Sequence, residues 1–176
     1  LQLDENLIIR MAANDTSAFR ELYQQTSGVV YGYAMSILRN RHDAEDVMHD
    51  AFIKIYTSAV TYRSPGNPIA WILTIVRNLC LNRIRAGKVC EELSEYDDLA
   101  GTSEDSEAVL DRMVLEAAMN ILDAEGRQIV VLHAMAGFRH REIAEILDLP
   151  LSTVLSKYNR AMRKMREEIE SKGVER

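Results

Sequence analysis

An all-α fold, two small helical domains joined by an acidic flexible linker, is what this 176-residue sequence predicts. Three observations carry that expectation. Apolar residues recur at threes and fours along most of the chain, and no stretch alternates with a β period. Three prolines and eight glycines leave long helices few interruptions. The charge is also unevenly spread. Residues 1–88 hold ten Lys+Arg against eight Asp+Glu, and residues 109–176 hold eleven of each. Between them, residues 89–108 hold eight acids and no Lys or Arg, which accounts for the net charge of −6. That stretch, VCEELSEYDDLAGTSEDSEA, has few apolar anchors and reads as a linker. The expected domains are therefore 1–88 and 109–176.

The elements follow in order. Leu3, Leu7, Ile8 and Met11 suggest a short first helix. Asn14-Asp15 offers a cap for a second helix with Phe19, Leu22 and Tyr23 inward. Gly28 is expected to break or bend the chain. Val30, Tyr33, Ala34, Ile37 and Leu38 then give an apolar face ending near Arg39-Asn40. Asp43 is expected to cap DAEDVMHDAFIKIYTSA, whose inward residues are Ala44, Val47, Met48, Ala51, Phe52 and Ile55. Its outward residues are Glu45, Asp46, His49 and Asp50. Tyr62 to Asn67 is a loop by its Ser, Pro and Gly content. Pro68, at a first helical position, opens PIAWILTIVRNLCLNRIR. Ile72, Ile75, Val76 and Leu79 are expected inside, and Arg77, Asn78, Asn82, Arg83 and Arg85 on a polar, basic face.

After the linker, Val109 to Leu122 is amphipathic. Asp123 can cap a helix from Ala124 to Ala136, stopped by Gly137. His140 to Leu147 forms the next, with Ile143, Ala144 and Leu147 on one side. A good cap is missing there, since Arg139 stands where Ser or Thr is preferred. Leu149 precedes Pro150 and cannot easily continue the helix, and Ser152 can cap the next one. In that last helix Val154, Tyr158, Ala161, Met162 and Met165 repeat as a core face. Thr153, Ser156, Lys157, Arg160, Arg163 and Lys164 lie mostly opposite. Helix, tight turn and helix with a polar, basic outer face is the helix-turn-helix pattern, whose second helix enters the DNA major groove. Five basic residues and no acid between Lys157 and Arg166 suit DNA phosphates.

Composition bounds the rest. At 47% hydrophobic and 27% charged, the chain fits a soluble globular protein. The longest apolar stretch, Pro68 to Val76, is too short to span a bilayer. No signal peptide is visible, so a cytoplasmic location is expected. Cys80 and Cys90 make no CxxC pair and are expected to be thiols, with Cys80 a small buried hydrophobe.

Four motifs in this order, DAEDVMHDAFIKIY, NPIAWILTIVRNLCLNRIR, the acidic linker and the helix-turn-helix, resemble a bacterial sigma factor. The short two-domain form is similar to the extracytoplasmic-function (ECF) group, over nearly the whole chain. The resemblance implies a promoter −10 domain (region 2) in 1–88 and a −35 domain (region 4) in 109–176. It implies no catalysis and no cofactor. The implied partners are core RNA polymerase through its clamp and flap regions, promoter DNA, and an anti-sigma factor, with no membrane insertion. Carried over by position, Asp43, Glu45, Asp46, Asp50, Phe52 and Tyr56 match the polymerase-binding helix. Tyr62, Arg63 and Asn67 belong to the loop that receives a flipped base. Trp71, Arg77, Asn78, Arg83 and Arg85 lie on the −10 reading and melting helix. Ser152, Thr153, Ser156, Lys157, Arg160, Arg163 and Lys164 match the −35 reading helix. A strand-opening protein needs such a base pocket, apolar wedges and backbone-tracking cations. Trp71 also suits a plain core position. The recognition helix departs from the family's usual Gly-Thr-Val-Lys-Ser-Arg opening at Leu155 and Lys157, so the −35 sequence is open. Asn82 stands where an aspartate is common.

Three other readings fit less of the chain. A duplex-binding helix-turn-helix regulator needs neither the loop before Pro68 nor the basic strip after Asn78. An enzyme with a helical di-metal site needs the Glu45, Asp46 and His49 pattern twice, and no second copy exists. A helical adaptor leaves two separate basic faces without a use.

Overall fold

A computed structural model describes residues 3–87 and 117–171, and every regular element in them is helical. The helices are α1 (Asn6–Ala12), α2 (Thr16–Leu38), α3 (Arg41–Ser58), α4 (Pro68–Arg85), α5 (Ala124–Ala134), α6 (His140–Leu147) and α7 (Leu151–Ser171). A single 3₁₀ turn, Ala59–Thr61, follows α3. Residues 117–120 are also helical, Ile121 and Leu122 turn out of the helix expected to reach Leu122, and the part of that helix before 117 lies outside the described residues, as does the acidic stretch 89–108.

Side-chain caps start four of these helices. Asp15 accepts from the Ser17 and Ala18 amides at the start of α2. Its contacts with Ser17 and Arg10 hold its carboxyl down to about 2. Asn67 accepts from the Ala70 amide at 3.2 Å and opens α4, with Pro68 in the first turn. Asp123 accepts from the Gly126 amide at 2.8 Å and opens α5. Each oxygen satisfies an amide that the helix itself leaves free.

Five local expectations are corrected. Gly28 does not interrupt α2, because Leu22, Thr26, Val30 and Tyr33 form one buried stripe through it. A glycine in a helix costs only about 1 kcal/mol, which such a stripe outweighs. The cap of α3 is Asn40, whose side chain accepts from the Asp43 amide at 2.9 Å, while Asp43 lies inside the first turn. Ser152 is likewise inside its helix. α7 begins at Leu151, and the Pro150 carbonyl accepts from the Thr153 and Val154 amides. Met162 and Tyr23, both expected inward, are exposed.

Helices α1 to α4 pack around Leu7, Ile8, Leu22, Tyr33, Ile55, Ile72 and Val76, all fully or nearly fully buried. Cys80 completes the inward face of α4, and burial pushes its thiol up to about 12. Ile129, Leu132, Ile143 and Val154 of the C-terminal helices belong to the same continuous apolar cluster. A smaller cluster (Ala118, Leu122, Val130, Ala161, Met165) holds α7 against α5.

Candidate nucleic-acid interface

The helix-turn-helix is built by backbone geometry at its turn. Asp148 ends α6 in the left-handed region at φ 56°, and the Leu149 amide donates to the Ala144 carbonyl at 2.9 Å. Leu149 then tucks inward and Pro150 leads into α7. The weak start at Arg139 is rescued from the other side. The Glu142 side chain reaches back and accepts from the Arg139 amide at 2.7 Å. That is half of a capping box, supplied by the glutamate at the third helical position.

An aromatic knot joins the two helices of the motif. The His133 and His140 rings stack at 4.6 Å, and Tyr158 of α7 meets both edge-on at 5.0 and 4.7 Å. His133 Nδ1 is 2.8 Å from the Phe138 carbonyl oxygen. Burial, with His133 beside it, lowers the His140 pKa.

On α7 the basic residues divide by direction. Arg160, Arg163 and Lys164 are exposed, as are Ser152 and Ser156, and Thr153 is half-buried. Lys157 turns back to α5, with its ammonium 2.9 Å from Glu125 and 3.4 Å from Asp123. Its side chain is 22% exposed, and the Glu125 contact leads in raising its pKa.

In the N-terminal helices, the loop from Tyr62 to Asn67 is held at both ends. Tyr62 meets Trp71 edge-to-face at 5.4 Å. Burial, with Glu5 beside it, pushes the Tyr62 phenol up to about 12. The Gly66 amide donates to Glu5 at 3.0 Å, and the Asn67 amide group makes a 3.5 Å contact with Glu142 of α6. Gly66 has little room, since a Cβ there would sit 2.8 Å from the Tyr62 hydroxyl. Trp71 is half-buried against the core. Arg63, Asn78 and Arg85 are exposed, and Arg77 is half-buried. Arg83 is bound to α3, where its guanidinium donates to Asp43 and, at 2.7 Å, to Asp46. Burial disfavours its charge, but the two carboxylates outweigh that and leave its pKa raised.

The same buckle sorts the acids of α3. Asp43 is buried on Arg83. Glu45 pairs with Arg41 at 3.0 Å. Asp46 and Asp50 are exposed. Phe52 is buried and touches Tyr23 and Phe19, and half-buried Tyr56 meets Phe19 edge-on at 5.4 Å. The outward face carries an apolar residue that periodicity passes over, Ile53, on the side of Asp46 and Asp50, and Val60 is exposed in the 3₁₀ turn that follows. The spacing 46, 50, 53, 57 is the signal for that shared face. No group of three or more His, Cys, Asp or Glu able to hold a metal occurs among the described residues.

Also unread from sequence is Arg127, buried at the start of α5. It donates to the Met119, Leu122 and Ser36 carbonyls at 3.2, 2.8 and 3.0 Å. The last bond crosses to α2. Around it, Tyr33 makes a 3.5 Å contact with Gln128, and Arg39 a 3.4 Å contact with Asn120.

Comparison with known proteins agrees along the chain. Residues 22–89 match the Sigma-70 region 2 family and residues 112–165 the Sigma-70 region 4 family. The ECF RNA polymerase sigma factor SigK of Mycobacterium tuberculosis is 27% identical over 91% of this chain and 90% of its own. SigL of the same species is 27% identical over 94% and 96%. SigE of Mycolicibacterium smegmatis is 32% identical over 84% of this chain and 60% of its own. Among solved structures, CnrH in complex with the cytosolic domain of CnrY has a TM-score of 0.70 at 21% identity, covering 96% of this chain and 97% of that one. The sigma factor RpoE of Bartonella quintana, in complex with the anti-sigma factor NepR, has a TM-score of 0.70 at 22% identity, covering 90% and 98%. The chain belongs to the sigma-70 family, in its ECF group.

Proposed function

We propose that this chain binds core RNA polymerase and directs it to promoters by reading −35 and −10 elements and helping to open the −10 strands. The observation that carries this is the pairing of two unlike surfaces on one chain of this family. One is a helix-turn-helix with an outward Ser152, Ser156, Arg160, Arg163 and Lys164. The other is a loop ending at Asn67, backed by Tyr62 and Trp71, beside exposed Asn78 and Arg85. The first suits duplex DNA, and the second suits a strand whose bases have left the stack. Residues 1–88 act on the polymerase clamp and the −10 element, 109–176 on the −35 element and flap, and 89–108 connects them. Asp46 and Asp50 supply the polymerase-facing charge. Asp43, Phe52 and Tyr56 support that helix from inside, and Arg83 holds it to α4. An anti-sigma factor restrains the protein; the structural relative RpoE was solved in complex with the anti-sigma factor NepR. The work is done in the cytoplasm, and no described helix is long and apolar enough to cross a membrane.

Reconstitution tests this reading. Core polymerase with the full chain should transcribe a defined set of promoters from the source genome, and core polymerase alone should not. If the chain binds duplex operators without polymerase and leaves transcription start sites unchanged, it is a conventional helix-turn-helix regulator.

A further inference from the structure

The N-terminal residues of the second helix in a helix-turn-helix meet base edges in the major groove. In α7 that end is electrically neutral. Leu151 is 38% exposed and Leu155 is 41% exposed, with Ser152 and Ser156 exposed beside them. Val154 is buried, and Lys157 is drawn away to Glu125 and Asp123. The first exposed cation is Arg160, more than two turns into the helix. Folding does not ask for leucine at either exposed position, since Lys, Arg or Gln have similar helix propensity and suit water better. In the major groove the apolar feature a leucine can match is the thymine 5-methyl group, which pairs with no hydrogen-bonding side chain.

We propose that Leu151 and Leu155 are specificity residues that pack against thymine methyl groups in the −35 element. This rests on the DNA-binding reading of α7 given above. The two residues are one turn apart, about 6 Å along the helix axis. That separation spans about two base steps at roughly 3.4 Å each along a strand. Arg160, Arg163 and Lys164, later in the helix, hold phosphates and set the register. Reading at this end is by shape and dehydration rather than by bidentate arginine pairs. Exposed Met162 continues the line of the two leucines, so a protein partner lying along α7 is the competing occupant.

Deoxyuracil separates these outcomes, because it pairs as thymine does and lacks only the methyl group. Holoenzyme made from core polymerase and the full chain is first used to select −35 sequences from randomised duplex promoters. Each thymine of the selected element is then replaced in turn by deoxyuracil, and promoter binding is measured. The expected result is a loss of about fourfold at one or two positions, the worth of one buried methyl. Leu151→Ala and Leu155→Ala should bind the thymine promoter similarly more weakly, each becoming indifferent to deoxyuracil at its own position. Both side chains are exposed and Ala favours helix, so a thermal melt should match the parent. A selected element without thymine, or a parent protein indifferent to every deoxyuracil, overturns the proposal and leaves −35 recognition standing. Alanine variants that keep the parent's deoxyuracil penalty also overturn it. If those variants lose affinity for a cognate anti-sigma factor instead, the stripe belongs to the protein partner. Selection of no duplex sequence takes down the DNA-binding reading itself, and this proposal with it.

Discussion

Lys157 and Lys164 sit seven residues apart on one helix, carry the same charge, and are expected to behave differently. Lys164 is exposed beside Arg160, whereas Lys157 is closed onto Glu125 and Asp123. Lys164→Gln should lower the slope of log affinity against log salt by about 0.9, the contribution of one phosphate contact. Lys157→Gln should leave that slope unchanged and cost about 0.2–1 kcal/mol of stability, the range for a partly exposed ion pair. Binding isotherms across a salt series, with a thermal melt, check both. His140 gives a second residue-scale expectation. Burial and His133 depress its pKa below the ordinary 6.5. The unfolded chain therefore takes up this proton at higher pH than the folded one, so stability is full above about 6.5 and falls as pH drops through the lower folded value. His140→Phe keeps a ring against His133 and Tyr158 and should flatten that decline in melts between pH 7.5 and 5. The signs of these charges were legible in the sequence, but their directions were not. The acids that capture Lys157 and Arg83 lie 34 and 40 residues away, beyond any helical repeat.

At the scale of the element, α3 presents two kinds of carboxylate one turn apart. Asp50 faces water, and Asp46, though exposed, shares Arg83 with Asp43. Asp50→Lys should weaken core polymerase binding with little change in melting temperature, whereas Asp46→Lys should lower both because it sets a cation against Arg83. Asp43 is buried on Arg83. Asp43→Ala leaves Arg83 with Asp46 alone and should destabilise the N-terminal helices by about 1–3 kcal/mol, the cost of losing one charge-assisted hydrogen bond. Affinity measured below the melting transition should change less. A pull-down of core polymerase alongside circular dichroism melts separates the two effects. Periodicity located every described helix, because the buried stripes of α2, α3, α4 and α7 recur every three to four residues. It failed where one residue was asked to overrule the stripe. Gly28 on its own predicts a break, yet Thr26 and Val30 are buried on either side of it. Ser152 on its own predicts a cap, yet the Pro150 carbonyl already accepts the first helical bonds.

At the scale of the molecule, the feature that composition concealed is the seam between α2 and α5. Sequence offers Arg127 as one more charge in the first turn of an amphipathic helix, where solvent is the default expectation. Its burial depends on three carbonyls, one of them on α2. Arg127→Met keeps bulk but loses all three bonds, leaving the Ser36 and Leu122 carbonyls short of a donor, while Met119 keeps the Leu122 amide at 3.3 Å. Calorimetry should show one cooperative transition for the parent chain. For the variant it should show a lower, broader one resolving toward two, as the halves melt apart. A single sharp transition in both proteins would mean that Arg127 does not couple them.

That seam also bears on handling and lifetime. Gly32 of α2 leaves space that the Met135 thioether fills, so a Cβ there would sit 2.8 Å from the methionine methyl. When the halves part, this small pocket, the Tyr33 ring and the apolar residues behind them meet water together. Contiguous apolar surface of that kind promotes self-association. A chain parted with nothing to receive it is therefore a precipitation hazard at high concentration.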